Sequence, residues 1–204
     1  MKKLLIFSLC SCLLPAMAQA NTLNTRVERA VTKASKKQQP APVITRDPTD
    51  QLVLNLLGTP YTLILSEEDD GTWTNAYLPE GRSITDLDTD DPNTDVILIS
   101  KIPDTTCADE IGNLEDSKAY TYDTRNPNDQ ILSGGNKSTY AVMRYIQSGD
   151  DVFYVVVMVK RNTQSDEDWQ QLQKSVFKAT RSTPAGVLTT DFVEAACRFG
   201  SDCR

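Results

Sequence analysis

The chain has 204 residues, of which 28 are acidic and 21 are basic, so its formal net charge is −7. It contains no histidine, which excludes Ser-His-Asp and Cys-His nucleophiles and every histidine-containing zinc or copper site. An acidic body also repels nucleic acid, so we expect no nucleic-acid partner.

The first twenty residues are organised like an export signal. Lys2 and Lys3 precede a mostly apolar stretch over residues 4–14, and residues 18–20, Ala-Gln-Ala, offer the small-x-small pattern that signal peptidase cleaves. We therefore predict a signal peptide over residues 1–20 and a periplasmic or secreted location. The apolar stretch is too short to cross a bilayer, which needs about 20 residues, and no later segment is long enough, so we predict no transmembrane segment.

Residues 21–48 have the composition of a basic arm that precedes the folded domain. Over residues 21–37 the apolar residues lie on one stripe of a helix, and residues 38–42, Gln-Gln-Pro-Ala-Pro, are typical of an extended linker. Residues 21–46 carry six basic residues and one acidic residue, whereas residues 47–204 have a net charge of −14. The arm is either a solvated tether or a docking segment for a protein partner in the cell envelope, with weak contact to a membrane surface as a further role. Its candidate contact residues are Arg26, Arg29, Lys33, Lys36 and Lys37.

We predict a single acidic domain over residues 49–204, and this domain begins with strands. The apolar runs Leu52–Leu57 and Tyr61–Leu65 flank residues 58–60, Gly-Thr-Pro, which are typical of a turn. The acidic run over residues 67–71 predicts a second, charged turn.

Acidic side chains are concentrated before the next strand. Asp86, Asp88 and Asp90 have the Asp-x-Asp-x-Asp spacing that opens a calcium loop, but the glycine and glutamate that an EF-hand needs at its sixth and twelfth positions are missing. The segment over residues 86–95 is therefore either a solvated acidic loop, which we favour, or a weak calcium site. Asp95–Lys101 follows as a strand that Pro103 stops.

A long antiparallel hairpin is the clearest structural signal. Thr139–Gln147 and Val152–Lys160 flank residues 148–151, Ser-Gly-Asp-Asp. The second strand is apolar on both faces, which predicts a central position with cover on both sides. Ser165 then opens a helix as its N-cap, with Asp168 at the capping-box position. The buried stripe of this helix is predicted to be Trp169, Leu172, Val176 and Phe177.

The C-terminal segment combines a helix with two cysteines. A last helix is predicted from about Thr189 to Phe199, with Gly200 as its C′ residue. Removal of the signal peptide leaves three cysteines, and in an oxidising compartment two of them are expected to pair. We favour a Cys197–Cys203 disulfide because it closes a short local loop. A Cys107–Cys197 bridge stays an alternative, and an unpaired Cys107 is expected to be a buried structural residue.

This element order predicts an α+β fold, in which an antiparallel sheet with a long central hairpin packs against one or two C-terminal helices. The order resembles that of the Mog1/PsbP-like family of small periplasmic and lumenal proteins. The resemblance covers residues 139–178, where the hairpin runs into the helix that begins Asp-Glu-Asp-Trp at residues 166–169. It implies an accessory or assembly subunit without catalysis.

Three functions are compatible with these features. The first is an exported, non-catalytic binding or assembly module, an accessory subunit of a bacterial envelope complex. The alternatives are a secreted effector or inhibitor, and an envelope hydrolase that uses paired carboxylates about 5–10 Å apart. No acidic residue lies inside a strongly apolar strand, where burial would raise its pKa and indicate a general acid. We expect no cofactor and no metal.

Overall fold

The computed structural model describes residues 45–46, 53–69, 71–86, 94–112, 121–123 and 125–189. In these ranges the strands are β1 (Thr45–Arg46), β2 (Val53–Leu56), β3 (Thr59–Asp69), β4 (Thr72–Pro79), β5 (Val96–Ile102), β6 (Thr121–Asp123), β7 (Asp129–Gly135), β8 (Thr139–Ser148) and β9 (Asp151–Lys160). The helices are α1 (Cys107–Gly112) and α2 (Asp166–Ser182), with a 3₁₀ turn at Ile84–Asp86. Another helical segment occupies residues 185–189, at the end of the last described range.

All nine strands belong to one curled antiparallel sheet, in the order β1-β2-β3-β4-β5-β9-β8-β7-β6. Two meanders meet where β5 pairs with β9, so the predicted β8–β9 hairpin lies inside the sheet. In this hairpin Thr139 is opposite Lys160 and Ser148 is opposite Asp151. The described part of the chain is mostly sheet with a few helices, an architecture that is compatible with the α+β prediction.

The sheet is buried on both faces because its central strands are apolar at successive positions. One face, called here the α2 face, packs against α2. From β9 it carries Phe153, Val155, Val157 and Val159, and it joins the helix residues Trp169, Val176 and Ala179. The other face, called here the α1 face, is in contact with α1. From β9 it carries Val152, Tyr154, Val156 and Met158, and it joins the helix residues Cys107 and Ile111.

The start of α2 is confirmed as predicted. The Ser165 side chain accepts a hydrogen bond of 3.3 Å from the Asp168 N–H, which satisfies one of the backbone donors that a helix leaves free at its start. Trp169 and Val176 are buried on the sheet, and Leu172 and Phe177 are partly buried beside them. Among the residues that the structure describes, no helix is long and apolar enough to cross a membrane.

The turns around β3 differ from the prediction. The first turn is Leu57–Gly58, whose φ angles of 55° and 88° fit a tight two-residue hairpin turn, and β3 already begins at Thr59. The predicted charged turn over residues 67–71 is wrong for residues 67–69, which belong to β3. Asp69 is opposite Thr72, so only two residues connect β3 to β4.

The structure adds a strand that the sequence analysis did not predict. Residues 133–135 belong to β7, which the sequence analysis missed, and the turn that follows is held by Asn136, whose side-chain oxygen accepts from the N–H groups of Ser138 and Thr139 at 2.8 Å each. Gly135 is required here because an added Cβ would overlap the backbone carbonyl of Thr139. A helical segment is present over residues 185–189, whereas the predicted last helix from about Thr189 to Phe199 and its C′ residue Gly200 lie outside the described residues except for Thr189.

Several predictions fall on parts of the chain outside the described residues. These are the signal peptide over residues 1–20, the arm residues Arg26, Arg29, Lys33, Lys36 and Lys37, and the cysteines Cys197 and Cys203. The predicted arm over residues 21–48 includes β1, whose Thr45 and Arg46 pair with Asn55 and Leu54 of β2.

Candidate functional site

Asp95 connects three strands at one end of the sheet. It directly precedes β5, and its Oδ1 accepts a hydrogen bond of 2.7 Å from the backbone N–H of Lys160, the last residue of β9. Its Oδ2 accepts from the hydroxyl of Tyr61 on β3 at 3.4 Å. Since Tyr61 and Lys160 are 34 and 65 residues away in sequence, this cluster exists only when the sheet is assembled.

Burial dominates the electrostatics of the cluster. It raises the pKa of Asp95 above the ordinary value of 3.8, and the hydrogen bonds from Lys160 and Tyr61 and the positive charges of Arg82 and Lys160 counteract only part of this effect. Burial also raises the pKa of Tyr61, and the nearby Asp95 raises it further. The tyrosine therefore keeps its proton and stays a donor to the carboxylate.

The Asp95 cluster bears on the paired-carboxylate hypothesis, because it contains the desolvated acid that a general acid requires. A glycosidase-type mechanism also needs a second carboxylate facing the first. The charges that shift the pKa of Asp95 are those of Arg82 and Lys160, and no described carboxylate is among them. The cluster therefore connects three strands, and no described carboxylate is among the charges that act on Asp95.

Substituting Asp95 with asparagine tests this electrostatic assignment. Because the folded state raises the pKa of Asp95, protonation stabilises the fold below pH 3.8, and this stabilisation is lost as pH rises towards the folded-state pKa. Asparagine keeps an oxygen for the Lys160 N–H and removes the charge. We expect Asp95→Asn to melt at the same or a higher temperature than the wild type at pH 7, with the difference shrinking towards pH 3.5.

Thermal melts of both proteins across this pH range provide the measurement. The exposed Asp166→Asn variant, whose carboxylate pairs with Arg161 at 2.7 Å, serves as the matched control. The quantity compared is the melting temperature of Asp95→Asn minus that of the wild type. A smaller value of this difference at pH 7 than at pH 3.5 would contradict the assignment.

The structure accounts for one of the three aspartates of the predicted calcium loop. Asp86 binds within its own turn: its Oδ2 accepts from the N–H of Ser83 at 2.7 Å and from the Ser83 hydroxyl at 3.3 Å, and its Oδ1 lies 3.8 Å from Arg82. Asp88 and Asp90 lie outside the described residues. Among the residues that the structure does describe, no group of three or more His, Cys, Asp or Glu side chains is arranged to hold a metal ion.

A second polar cluster, which the sequence analysis missed, surrounds Arg144 in the middle of β8. This arginine is 4% exposed. Its Nε and Nη2 each donate to one carboxylate oxygen of Asp129 at 2.7 Å, and its Nη1 donates to the backbone carbonyls of Thr180 at 2.8 Å and Thr183 at 2.6 Å. The sequence feature that indicates this cluster is a charged residue inside an apolar strand. Such a residue is buried only when other groups pair with it. Arg144 fastens the C-terminal end of α2 to the sheet.

Cys107 is a buried free thiol, 1% exposed, at the start of α1. Burial, followed by the negative charge of Asp129, raises the pKa of the Cys107 thiol to about 11. At neutral pH the thiol is therefore protonated and a poor nucleophile. Cys107 is not paired with any other described residue. Cys197 and Cys203 lie outside the described residues, so the Cys197–Cys203 disulfide and the Cys107–Cys197 alternative both stay predictions.

The end of the sheet opposite to Asp95 is acidic. The strand register places the tips of two hairpins, β3–β4 and β8–β9, and the β5–α1 connection at this end. These segments, called here the acidic end, carry Glu67, Glu68, Asp69, Asp104, Asp150 and Asp151. Lys101 neutralises part of this charge through an ion pair of 2.8 Å with Asp151. The acidic end is a surface with which a basic partner is electrostatically compatible.

No protein-family model, no curated protein and no solved structure matches the chain. The resemblance to Mog1/PsbP-like proteins over residues 139–178 stays a prediction. The function is therefore inferred from the sequence and from the chemistry of the described residues.

Proposed function

We propose that the protein is an exported, non-catalytic binding or assembly module that acts as an accessory subunit of a bacterial envelope complex. One observation carries this proposal: the buried charged side chains Asp95 and Arg144 hold elements of the described fold together. Asp95 connects β3, β5 and β9, and Arg144 fastens α2 to β8. The thiol of Cys107 is protonated and inaccessible. Because these buried groups stabilise the fold or are inaccessible, we infer that the protein binds other molecules through its charged surfaces.

The charge distribution supports a protein partner. The acidic body repels anionic lipid and nucleic acid, whereas residues 21–46, which make up most of the basic arm, are opposite in sign. An acidic domain with a basic arm is suited to contact one partner through two surfaces of different charge. The predicted export signal puts this partner in the cell envelope.

Deleting residues 21–40 tests the docking role of the arm. We expect the deletion, with the signal peptide retained, to abolish co-purification with envelope proteins and to leave the melting temperature unchanged, because the deleted residues precede the described sheet. A matched full-length variant in which Arg26, Arg29, Lys33, Lys36 and Lys37 are glutamine separates the effect of charge from that of length. Unaltered co-purification of both variants would contradict the proposal.

Fractionation of the producing cells separates this function from a secreted effector or inhibitor. An accessory subunit is expected in the periplasmic or membrane-associated fraction as a chain whose first residue is Asn21. Recovery of the processed chain from the culture medium would favour the effector instead. A native chain that still begins at Met1 would contradict export altogether.

A further inference from the structure

β3 is much longer than the strand beside it on its outer side. It has 11 residues, yet β2 pairs only with its first part, Thr59–Thr62. The rest of the strand, Leu63–Asp69, pairs with β4 on its inner side. No strand in the described ranges pairs with the other side of this segment, which we call the β3 edge.

The register identifies the backbone groups that face outwards on the β3 edge. Asp69 and Thr72 close a two-residue turn and therefore form a hydrogen-bonded pair. Because hydrogen-bonded and non-hydrogen-bonded pairs alternate, Glu67 bonds to β4, whereas Ser66 and Glu68 direct their N–H and C=O groups away from it. The outward groups are spaced as an added antiparallel or parallel strand needs them.

The side chain of Ser66 provides a second, independent observation. Its hydroxyl oxygen is buried and has no hydrogen-bond partner in the structure. A buried hydroxyl without a partner is unfavourable, and most such groups in proteins are satisfied. In an added strand, the residue opposite Ser66 places its side chain on the same face of the sheet, where a polar side chain can bond to this hydroxyl.

The charge of the β3 edge indicates what it binds. Glu68 and Asp69 are exposed, Glu67 is partly buried, and Ile64 and Leu65 contribute half-buried apolar surface. Three acidic residues and the β-bulge between Leu63 and Leu65 discourage pairing with an identical edge, because like charges would be brought together. A lysine- or arginine-bearing strand is attracted instead.

We propose that the β3 edge is a strand-addition site that takes an extended, basic segment of the envelope partner. This inference rests on the proposed function and assigns a surface to it. The backbone groups of Ser66 and Glu68 supply the affinity, and the acidic side chains select the sign of the partner's charge.

The test uses the purified, ¹⁵N-labelled protein and a synthetic decapeptide that alternates lysine and valine. We expect saturable chemical-shift changes confined to the β3 edge and its neighbours on β4. We also expect the amide exchange of Ser66 and Glu68 to slow by about tenfold or more, as a new hydrogen bond protects each N–H. A peptide with glutamate in place of lysine is expected not to bind.

Matched variants separate backbone pairing from charge. Glu68→Pro removes an outward N–H and leaves the β3–β4 hydrogen bonds in place, so it is expected to weaken peptide binding by about tenfold. Glu68→Lys is expected to weaken binding through charge alone. Glu167→Lys, the same charge change at an exposed position of α2, is expected to have no effect. If Glu68→Pro does not fold, a lysine–valine peptide that is N-methylated at alternate residues replaces it as the backbone test.

Three results would overturn the proposal. Shift changes on α2 or elsewhere would assign the peptide to another surface, and equal binding of the N-methylated peptide would exclude strand pairing. Slow exchange of Ser66 and Glu68 before any peptide is added would mean that this edge is already paired. The arm-deletion experiment is independent: if it abolishes co-purification while the peptide does not bind, the proposed function stands and this edge assignment fails.

Discussion

Replacing Trp169 with alanine is expected to lower the free energy of unfolding by about 3–5 kcal/mol, the range for removing a large buried aromatic side chain. Trp169 lies in the first turn of α2, is 5% exposed and belongs to the apolar cluster between α2 and the sheet. Its removal leaves a cavity on the α2 face, because the close-packed side chains of the sheet cannot shift far enough to fill it.

Urea denaturation, monitored by circular dichroism because this readout does not depend on the tryptophan that is removed, measures this effect. Lys174→Ala is the matched control, since Lys174 is exposed on the same helix, and it is expected to change stability by no more than about 0.5 kcal/mol. A loss below about 1 kcal/mol for Trp169→Ala would mean that α2 is not anchored through this side chain.

The features that were predicted correctly are those with local signals. Ser165 and Asp168 are three residues apart, so the capping hydrogen bond between them can be predicted from a short stretch of sequence. The β8–β9 hairpin likewise needs only two apolar runs and the short turn between Ser148 and Asp151. Such elements are determined by neighbours in the chain and are visible without the rest of the fold.

The end of β3 was not predicted because its extended conformation depends on pairing with β4 and not on its own residues. Residues 67–69 are all acidic and read as a turn in isolation. They are extended because β4 pairs with them through Thr74, Trp73 and Thr72. Tertiary pairing of this kind overrides local composition.

The Asp95 cluster was missed for a related reason. Asp95 stands at the boundary of an apolar strand, where a carboxylate is expected to be solvated. Its burial and its bonds depend on Tyr61 and Lys160, which reach it only through the pairing of β3 with β4, of β4 with β5 and of β5 with β9. Non-local order of strands is the part of this fold that residue patterns do not specify.

Arg144 is the buried charge on which the position of α2 depends. Its guanidinium satisfies both oxygens of Asp129 and the backbone carbonyls of Thr180 and Thr183. The residues Thr180 and Thr183 are 0% and 1% exposed, so water cannot replace the arginine as a donor to their carbonyls. Asp129 is more accessible, with 26% of its side chain exposed, and water can partly solvate it.

Arg144→Met is therefore expected to destabilise the protein by about 3–5 kcal/mol, the cost of removing one partner from a buried charged network. Methionine retains much of the volume but leaves the two carbonyls and the carboxylate without their donor. Arg144→Lys is expected to fall between the wild type and Arg144→Met, since an ammonium group cannot bind the carboxylate in the two-pronged manner of a guanidinium. Asp129→Asn is expected to cost less than either, because the exposed partner is the one changed.

Urea unfolding of the two single variants and of the double variant Arg144→Met/Asp129→Asn measures the coupling between the residues. The double variant is expected to be less destabilised than the sum of the single effects, because once the arginine is gone the asparagine no longer loses an ionic partner. Strictly additive effects would contradict a direct bond between the two side chains. A loss of less than about 1 kcal/mol for Arg144→Met would show that α2 is held by its apolar stripe alone, and the carbonyls of Thr180 and Thr183 would then have to find other donors.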